Sequence, residues 1–243
     1  MSILAHSAKA KPQNCNWLLA QFASADYERL RLNLEPVTFQ HREVLYAPRH
    51  AIEFVYFIES GVASLVATMH NSDTAEVGTV GNEGFVGLPV VFGEKTPAIG
   101  VYVQVAGAGL RMPATAFRQQ FDQSAALRLV VLRYAAVFFN QVAQSAACAH
   151  LHPLEKRCCR WLMMTRDRMT SDRFALTQEF LAMMLGVRRS SVSVVMGKLQ
   201  EDGLVRYSRG QVTILDRKAL RAAACECYHV SKAEFDSLLG EQA

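Results

Sequence analysis

The period of hydrophobic and polar positions changes several times along this chain, and each change marks a unit. Over residues 17–33 the apolar Leu18, Leu19, Phe22 and Leu30 recur at helical intervals, which predicts a short helical entry. From residue 35 to about 112, β-branched and aromatic runs take over, at 43–46, 54–58, 63–67, 76–80 and 100–105. Pro48, Gly61, Gly81, Gly84, Gly87 and Gly107 punctuate them. Short, evenly spaced strands with turn residues between them predict a β-barrel or double-sheet roll.

The helical period returns at Met112 and runs to about Ala149, with Pro113 suited to the first turn. Leu127, Val130, Tyr134, Val137, Gln141, Gln144 and Cys148 approximate an a/d seam, so this helix is expected to pair with a second copy of itself. The segment His150-Leu151-His152-Pro153 breaks the helix and marks a hinge. Residues 154–168 read as another amphipathic helix around Leu154, Cys158, Trp161 and Leu162, and Asp172 falls in a loop.

Residues 176–204, LTQEFLAMMLGVRRSSVSVVMGKLQEDGL, are the most informative stretch. Thr177 is a capping residue, and Glu179 follows in the first turn, where the helix dipole favours negative charge. Leu181 and Leu185 share a face, and Gly186 suits a turn with positive φ. A second helix is expected over 188–200, with Val192, Val195, Met196 and Leu199 inward and Arg189, Ser190, Ser193, Val194 and Gly197 outward. A helix pair of this kind braces one helix on a DNA backbone and lays the other in the major groove. There Arg189 suits a guanine edge, the serines suit bases or phosphates, and Val194 suits a thymine methyl. Thr177, Gln178, Arg188, Ser191 and Lys198 complete the candidate DNA contacts on the pair. Two β-like runs, 205–207 and 211–214, flank the turn Ser208-Arg209-Gly210 and read as a wing, with Arg206 and Arg209 on phosphates.

Charge sharpens this picture. The chain of 243 residues carries a formal net charge of +4, unevenly distributed. Residues 1–149 hold 11 basic and 11 acidic side chains, residues 150–221 hold 14 and 7, and the remainder is acidic. Positive charge therefore concentrates around the helix pair, as a phosphate-binding module requires. No apolar run is read as approaching the ~20 residues of a membrane span, and the N-terminus lacks the apolar core of a signal peptide, so a cytoplasmic protein is expected. Cys15, Cys148, Cys158, Cys159, Cys225 and Cys227 form no secreted-type disulfide framework.

Strand roll, long helix and winged helix pair, in that order, resemble the Crp/Fnr superfamily of bacterial transcription regulators. Two segments carry the resemblance: Phe54-Val-Tyr-Phe-Ile-Glu-Ser-Gly61-Val-Ala-Ser-Leu in the roll, and residues 176–214. It implies an α+β fold: an N-terminal double-stranded β-helix or jelly-roll of the cyclic-nucleotide-binding type, a long dimerisation helix and a C-terminal winged helix-turn-helix. The expected domains are an arm (1–16), the roll (17–112), the dimerisation helix (113–149), the DNA-binding domain (150–221) and a tail (222–243). Implied partners are double-stranded DNA with a pseudo-palindromic operator, a second copy of the chain, and RNA polymerase.

In the family, a glycine-rich segment of the roll holds the effector. Here it comprises Gly84, Phe85, Val86, Gly87 and Leu88, closed by Pro97, Ala98 and Ile99. Cyclic-AMP-binding members open this cassette with Gly-Glu and close it with Arg-Ser or Arg-Thr. This chain reads Gly87-Leu88 and Pro97-Ala98-Ile99 at those places, so a buried cyclic phosphate would lack its counter-charge. Neither an iron–sulfur cluster nor a haem has an evident ligand set: the roll has no cysteine, and His41, His50 and His70 have no signature as axial ligands. Cys225-Glu-Cys227-Tyr-His229 groups soft ligand types without a partner cluster at zinc-site spacing, so no metal and no cofactor are expected. A ligand-binding module (cyclic nucleotide or haem) with vestigial DNA binding is the alternative. An enzyme is not expected, because the His-x-His pair of metal-dependent rolls occurs only as His150 and His152, outside the roll.

Overall fold

In the computed structural model, residues 16–71, 73–94 and 96–239 are described. A 3-10 turn (Leu19–Gln21) and α1 (Ser24–Arg31) lead into β1 (Glu35–Phe39), β2 (Val44–Tyr46), β3 (Phe54–Thr68), β4 (Thr74–Val80), β5 (Phe85–Val86) and β6 (Gly100–Pro113). Next come α2 (Ala114–Gln123), α3 (Ala125–Leu151) and α4 (Leu154–Asp167). The last portion holds β7 (Arg173–Ala175), α5 (Gln178–Leu185), α6 (Arg189–Glu201), β8 (Val205–Ser208), β9 (Gln211–Ile214), α7 (Arg217–Ala223) and α8 (Cys227–Leu239). The class is α+β, with an antiparallel strand roll, a long helix and a helix-turn-helix region with its own small sheet.

Two long strands organise the roll. β3 and β6 pair from Phe54 opposite Pro113 to Val66 opposite Gly100, and the sheet order is β1-β6-β3-β4. The register shifts between Ile58 and Ala63, where the two strands bend together. Gly61 makes the bend possible: its φ is +91°, and a Cβ there would lie 2.6 Å from the Val105 carbonyl oxygen. The runs expected as separate strands at 54–58 and 63–67 are therefore one bent strand, because this glycine bends the strand without ending it.

The expected helix from Met112 is also divided. β6 runs to Pro113, which stands at the N-cap position of α2 without a cap bond, and Ser124 caps α3 by accepting a hydrogen bond from the Leu127 amide at 3.2 Å. The inner face of α3 closes the roll. A Cβ on Gly78 of β4 would stand 2.9 Å from the Phe138 ring, so the helix needs a glycine beneath it. Gln141 Oε1 accepts the Thr79 amide of β4 at 3.0 Å.

This packing turns most of the expected dimer seam inward. Leu127, Tyr134 and Gln141 are buried in the protomer's own core, and Val130 and Val137 pack against it. Leu127, Tyr134 and Gln141 are therefore not presented to a second chain, while Val130 and Val137 keep part of their surface exposed. The opposite face carries a second seam at the same 3–4 spacing: Leu129 (52% exposed), Leu132 (44%), Ala136, Phe139 (70%), Ala143 and Ala146. Leu127 and Leu129 are two positions apart, a rotation of ~200° around an α-helix. By length and composition alone α3 would suffice to cross a bilayer. In the fold it packs against β4, α2 and α8, and it bears Arg128 and Arg133.

Both ends of the described chain are tied to the fold. Residues 1–15 of the expected arm, Cys15 included, lie outside the described residues, but Asn16 is a buried anchor. Its Nδ2 donates to the Ile58 and Gly84 carbonyls, both at 2.7 Å. The tail is largely helix: α8 lies along α3 and buries Phe235 and Leu239, with the Phe235 ring 6.5 Å from Tyr134.

After the break at His152 and Pro153, α4 turns back onto the roll. Trp161 Nε1 donates to Glu76 Oε1 at 3.0 Å, Ser64 Oγ donates to Glu76 Oε2 at 2.6 Å, and Gln104 Nε2 donates to Thr165 Oγ1 at 3.0 Å. Arg168 pairs with Glu83 at 2.6 Å, both side chains nearly buried. Removing one partner of such a pair would leave an uncompensated buried charge, so the pair holds α4 in place. Burial raises the Glu76 carboxyl to about 7, against the hydrogen bonds from Ser64 and Trp161 and the fields of Arg168 and Arg160. The folded state then binds this proton more tightly than the unfolded chain does, so stability from this group is lost as pH rises through the interval from about 4.5 to 7. Glu76→Gln should therefore gain on the wild type between pH 5 and pH 8, by up to about 3 kcal/mol in urea unfolding. A difference that does not change with pH would contradict this assignment.

Candidate nucleic-acid interface and effector segment

Local sequence builds the helix pair. Thr177 Oγ1 accepts the Phe180 amide at 3.1 Å and caps α5. Gly186 ends α5 with φ +64°, and α6 leaves at a bend of 110°, within the range of helix-turn-helix units. Val192, Met196 and Leu199 fix α6 from beneath, with Phe180, Leu181 and Leu185 of α5 in the same core. Val195 is only partly buried at its edge. Arg188 stands at the N-cap of α6 and makes no side-chain cap bond there, so its guanidinium is not spent on the helix end.

The outer face of α6 is open. Arg188, Arg189, Ser190, Ser191 and Val194 are exposed, Val194 to 74%. Arg189 Nε lies 2.9 Å from Glu179 Oε1, and both are well exposed. An exposed pair of this kind contributes about 1 kcal/mol at most, so releasing Arg189 to another acceptor costs little. Other candidates are also tied within the domain. Ser193 Oγ donates to Gln178 Oε1 at 2.5 Å, joining α6 to α5, and Lys198 pairs with Glu155 of α4 at 2.7 Å.

Beside α6, β8 and β9 pair from Val205 opposite Ile214 to Ser208 opposite Gln211. Arg209 and Gly210 form the tip, both at positive φ, and Arg206 and Arg209 are exposed. β7 extends this sheet on the other edge of β9, a strand that the sequence pattern does not announce. Asp172, just before it, accepts from Arg166 and Arg217, which lower its carboxyl to about 2. This clasp fixes the base of the wing.

The effector segment is built differently. Gly84, Phe85, Val86 and Gly87 are buried, and Leu88 packs on the same core. The Phe85 ring stands 5.6 Å from Phe57, 5.2 Å from Phe117 and 5.4 Å from Tyr134. Tyr134 Oη donates to the Phe85 carbonyl at 3.2 Å, and its ring lies so close to Gly84 that any Cβ there would overlap it. Side chains thus fill the space between cassette and α3. Pro97, Ala98 and Ile99 lie in the loop before β6, where the Pro97 carbonyl accepts the Arg49 amide at 2.7 Å. No Arg or Lys stands among these pocket residues to meet a cyclic phosphate. His41, one of the histidines in the roll, bonds the Gln104 carbonyl through Nδ1 and packs on Phe180 of α5, which joins roll to helix pair.

One grouping is not visible in the sequence pattern. Cys148 and His152, at the end of α3, come together with Cys225 and Cys227. His229, next to the two C-terminal cysteines in sequence, is exposed and meets the Tyr228 ring edge-on instead. The missing signal is one of distance along the chain: the partner ligands lie more than 70 residues upstream.

Comparison with known proteins agrees with this architecture. Residues 36–124 match the cyclic nucleotide-binding domain, and residues 156–223 match the Crp-like helix-turn-helix domain. A crp/fnr-family protein from Eubacterium rectale ATCC 33656 superposes with a TM-score of 0.67 at 18% identity, covering 85% of this chain and 96% of the other. A CRP-family transcriptional regulator from Thermus thermophilus gives 0.64 at 20% identity, covering 77% and 96%. The c-di-GMP responsive global regulator CLP of Xanthomonas campestris gives 0.59 at 18%, covering 80% and 100%. No curated protein matches the chain significantly. At these identities the structural likeness speaks for the fold, while the two matched domains speak for descent. With a cyclic nucleotide-binding roll followed by a Crp-like helix-turn-helix, the chain belongs to the Crp/Fnr superfamily and has the architecture of its transcription regulators.

Proposed function

We propose that the protein is a homodimeric, sequence-specific DNA-binding transcription regulator that does not use cyclic AMP in the usual pose. The carrying observation is the open face of α6, where Arg188, Arg189, Ser190, Ser191 and Val194 stand clear of the fold beside the wing arginines Arg206 and Arg209. Such a face combines a bidentate donor for a guanine edge, hydroxyls for phosphates or bases and an apolar patch for a thymine methyl. Gln178, Ser193 and Lys198 serve it by orientation first, since each is tied within the domain. Thr177 serves it as the cap of α5.

Dimerisation is proposed through the outward seam of α3. Leu129, Leu132 and Phe139 are large apolar side chains left in water, with alanines at the intervening seam positions. An exposed stripe with this spacing is satisfied by an identical stripe on a second helix. Two-fold pairing presents two copies of α6, which suits a pseudo-palindromic operator with half-sites ~34 Å apart. RNA polymerase as a further partner and a cytoplasmic location follow from family membership alone. The filled cassette weighs against the alternative of a dedicated cyclic nucleotide module. A signal received by the roll would act by shifting the angle of α4 at the His152–Pro153 break.

Two experiments test this reading. On an operator selected from random DNA, Arg189→Ala should weaken specific binding by roughly 10- to 100-fold, with little change on unrelated DNA. Equal losses on both would remove Arg189 from base reading. In sedimentation, wild-type protein should be a dimer, and Phe139→Asp should become a folded monomer with unchanged circular dichroism. A Phe139→Asp variant that stays dimeric would place the interface elsewhere.

A further inference from the structure

The cluster at the end of α3 has the composition and spacing of a metal centre. Cys148 Sγ and Cys225 Sγ are 3.5 Å apart, and Cys227 Sγ is 3.5 Å from His152 Nδ1. All four ligand atoms lie within 4.8 Å of one another. In a tetrahedral site with Zn–S bonds of about 2.3 Å, ligand sulfurs sit about 3.8 Å apart. The cluster therefore needs only a slight adjustment to surround one ion. An iron–sulfur cluster distributes its ligands over several irons and needs them farther apart. Three sulfurs and one imidazole suit a borderline-soft ion and disfavour magnesium or calcium.

The surroundings supply what a bound ion needs. Cys148 and His152 are four residues apart and share a face at the helix end, with the His152 amide bonded to the Cys148 carbonyl at 3.2 Å. His152 turns Nδ1 toward the cluster, and its Nε2 meets Glu226 Oε1 at 3.1 Å. A carboxylate on the far nitrogen of a ligating histidine is the usual way its ring is oriented and made more basic. Gln144 Nε2 donates to Cys227 Sγ at 3.0 Å. Arg160, nearly buried, lines the same cleft as Cys148, and its Nε has no hydrogen-bond partner among the described residues. Three thiolates and a dication leave one net negative charge, and this guanidinium offsets it.

From this geometry we infer that Cys148, His152, Cys225 and Cys227 bind a single thiophilic dication of the zinc type. The ion joins the end of α3, the residue at the break before α4, and the start of α8. It therefore clamps the C-terminal helix to the helix that carries both apolar seams, across the joint between roll and DNA-reading unit. Metal uptake is independent of DNA binding, so either proposal can fail without the other.

The test uses full-length protein purified under reducing conditions. Elemental analysis should find about one zinc per chain, and cobalt added to metal-free protein should produce a thiolate-to-cobalt charge-transfer band that zinc then abolishes. Cys225→Ser and Cys227→Ser should each lower affinity at least roughly tenfold against a chromogenic chelator, while Cys158→Ala, in a different part of the core, should keep full uptake. Glu226→Gln changes only an exposed side chain, so the fold should survive, and it should lower affinity about tenfold. Reduced wild-type protein that yields no charge-transfer band would overturn the inference. So would full metal content in the Cys225 and Cys227 variants, or a Cys148–Cys225 disulfide forming with no metal taken up after reduction.

Discussion

One helix carries apolar side chains on two opposite faces, and its inner face organises most of the architecture. The inner face of Ala125–Leu151 closes the roll through Leu127, Tyr134 and Phe138, and buries the Gln141 carboxamide on the backbone of Thr79. The outer face keeps Leu129, Leu132 and Phe139 in water. Hydrophobic burial stabilises in proportion to area removed from water, at roughly 25 cal/mol per Å². A folded single chain captures that stabilisation on one face only. The exposed stripe is therefore the strongest physical reason to expect a second copy.

The same helix accounts for the state of the effector segment. Tyr134 reaches from α3 over Gly84 and joins the Phe57, Phe85 and Phe117 rings. Side chains thus fill the space between the glycine-rich segment and α3. Here the roll and the reading unit are coupled directly by side chains. Glu76 with Trp161, Glu83 with Arg168, and His41 with Phe180 all bridge the roll to the reading unit. Because Glu76 titrates near neutrality, one of these bridges changes charge within the physiological range.

The reading unit was legible in the sequence because its determinants are local. Thr177, Gly186 and the Val192–Met196–Leu199 stripe lie within 23 consecutive residues, and each acts through its nearest neighbours. The roll was legible as a class but not strand by strand, because a glycine such as Gly61 reads the same whether it ends a strand or bends one. Which face of α3 turns inward was illegible for a related reason. Two apolar stripes follow the same period on one helix, and only tertiary contacts such as Gly78 beneath Phe138, Gly84 beneath Tyr134 and Thr79 on Gln141 decide which faces inward. The thiol cluster was invisible because its halves meet only when α8 folds back along α3.

The central claim, a two-fold protein reading DNA with α6, is tested most directly by hydroxyl-radical footprinting on a selected high-affinity site. The account predicts two equal protected patches on one face of the duplex, related by a dyad and centred ~34 Å apart. A single patch, or uniform protection without phase, would contradict it.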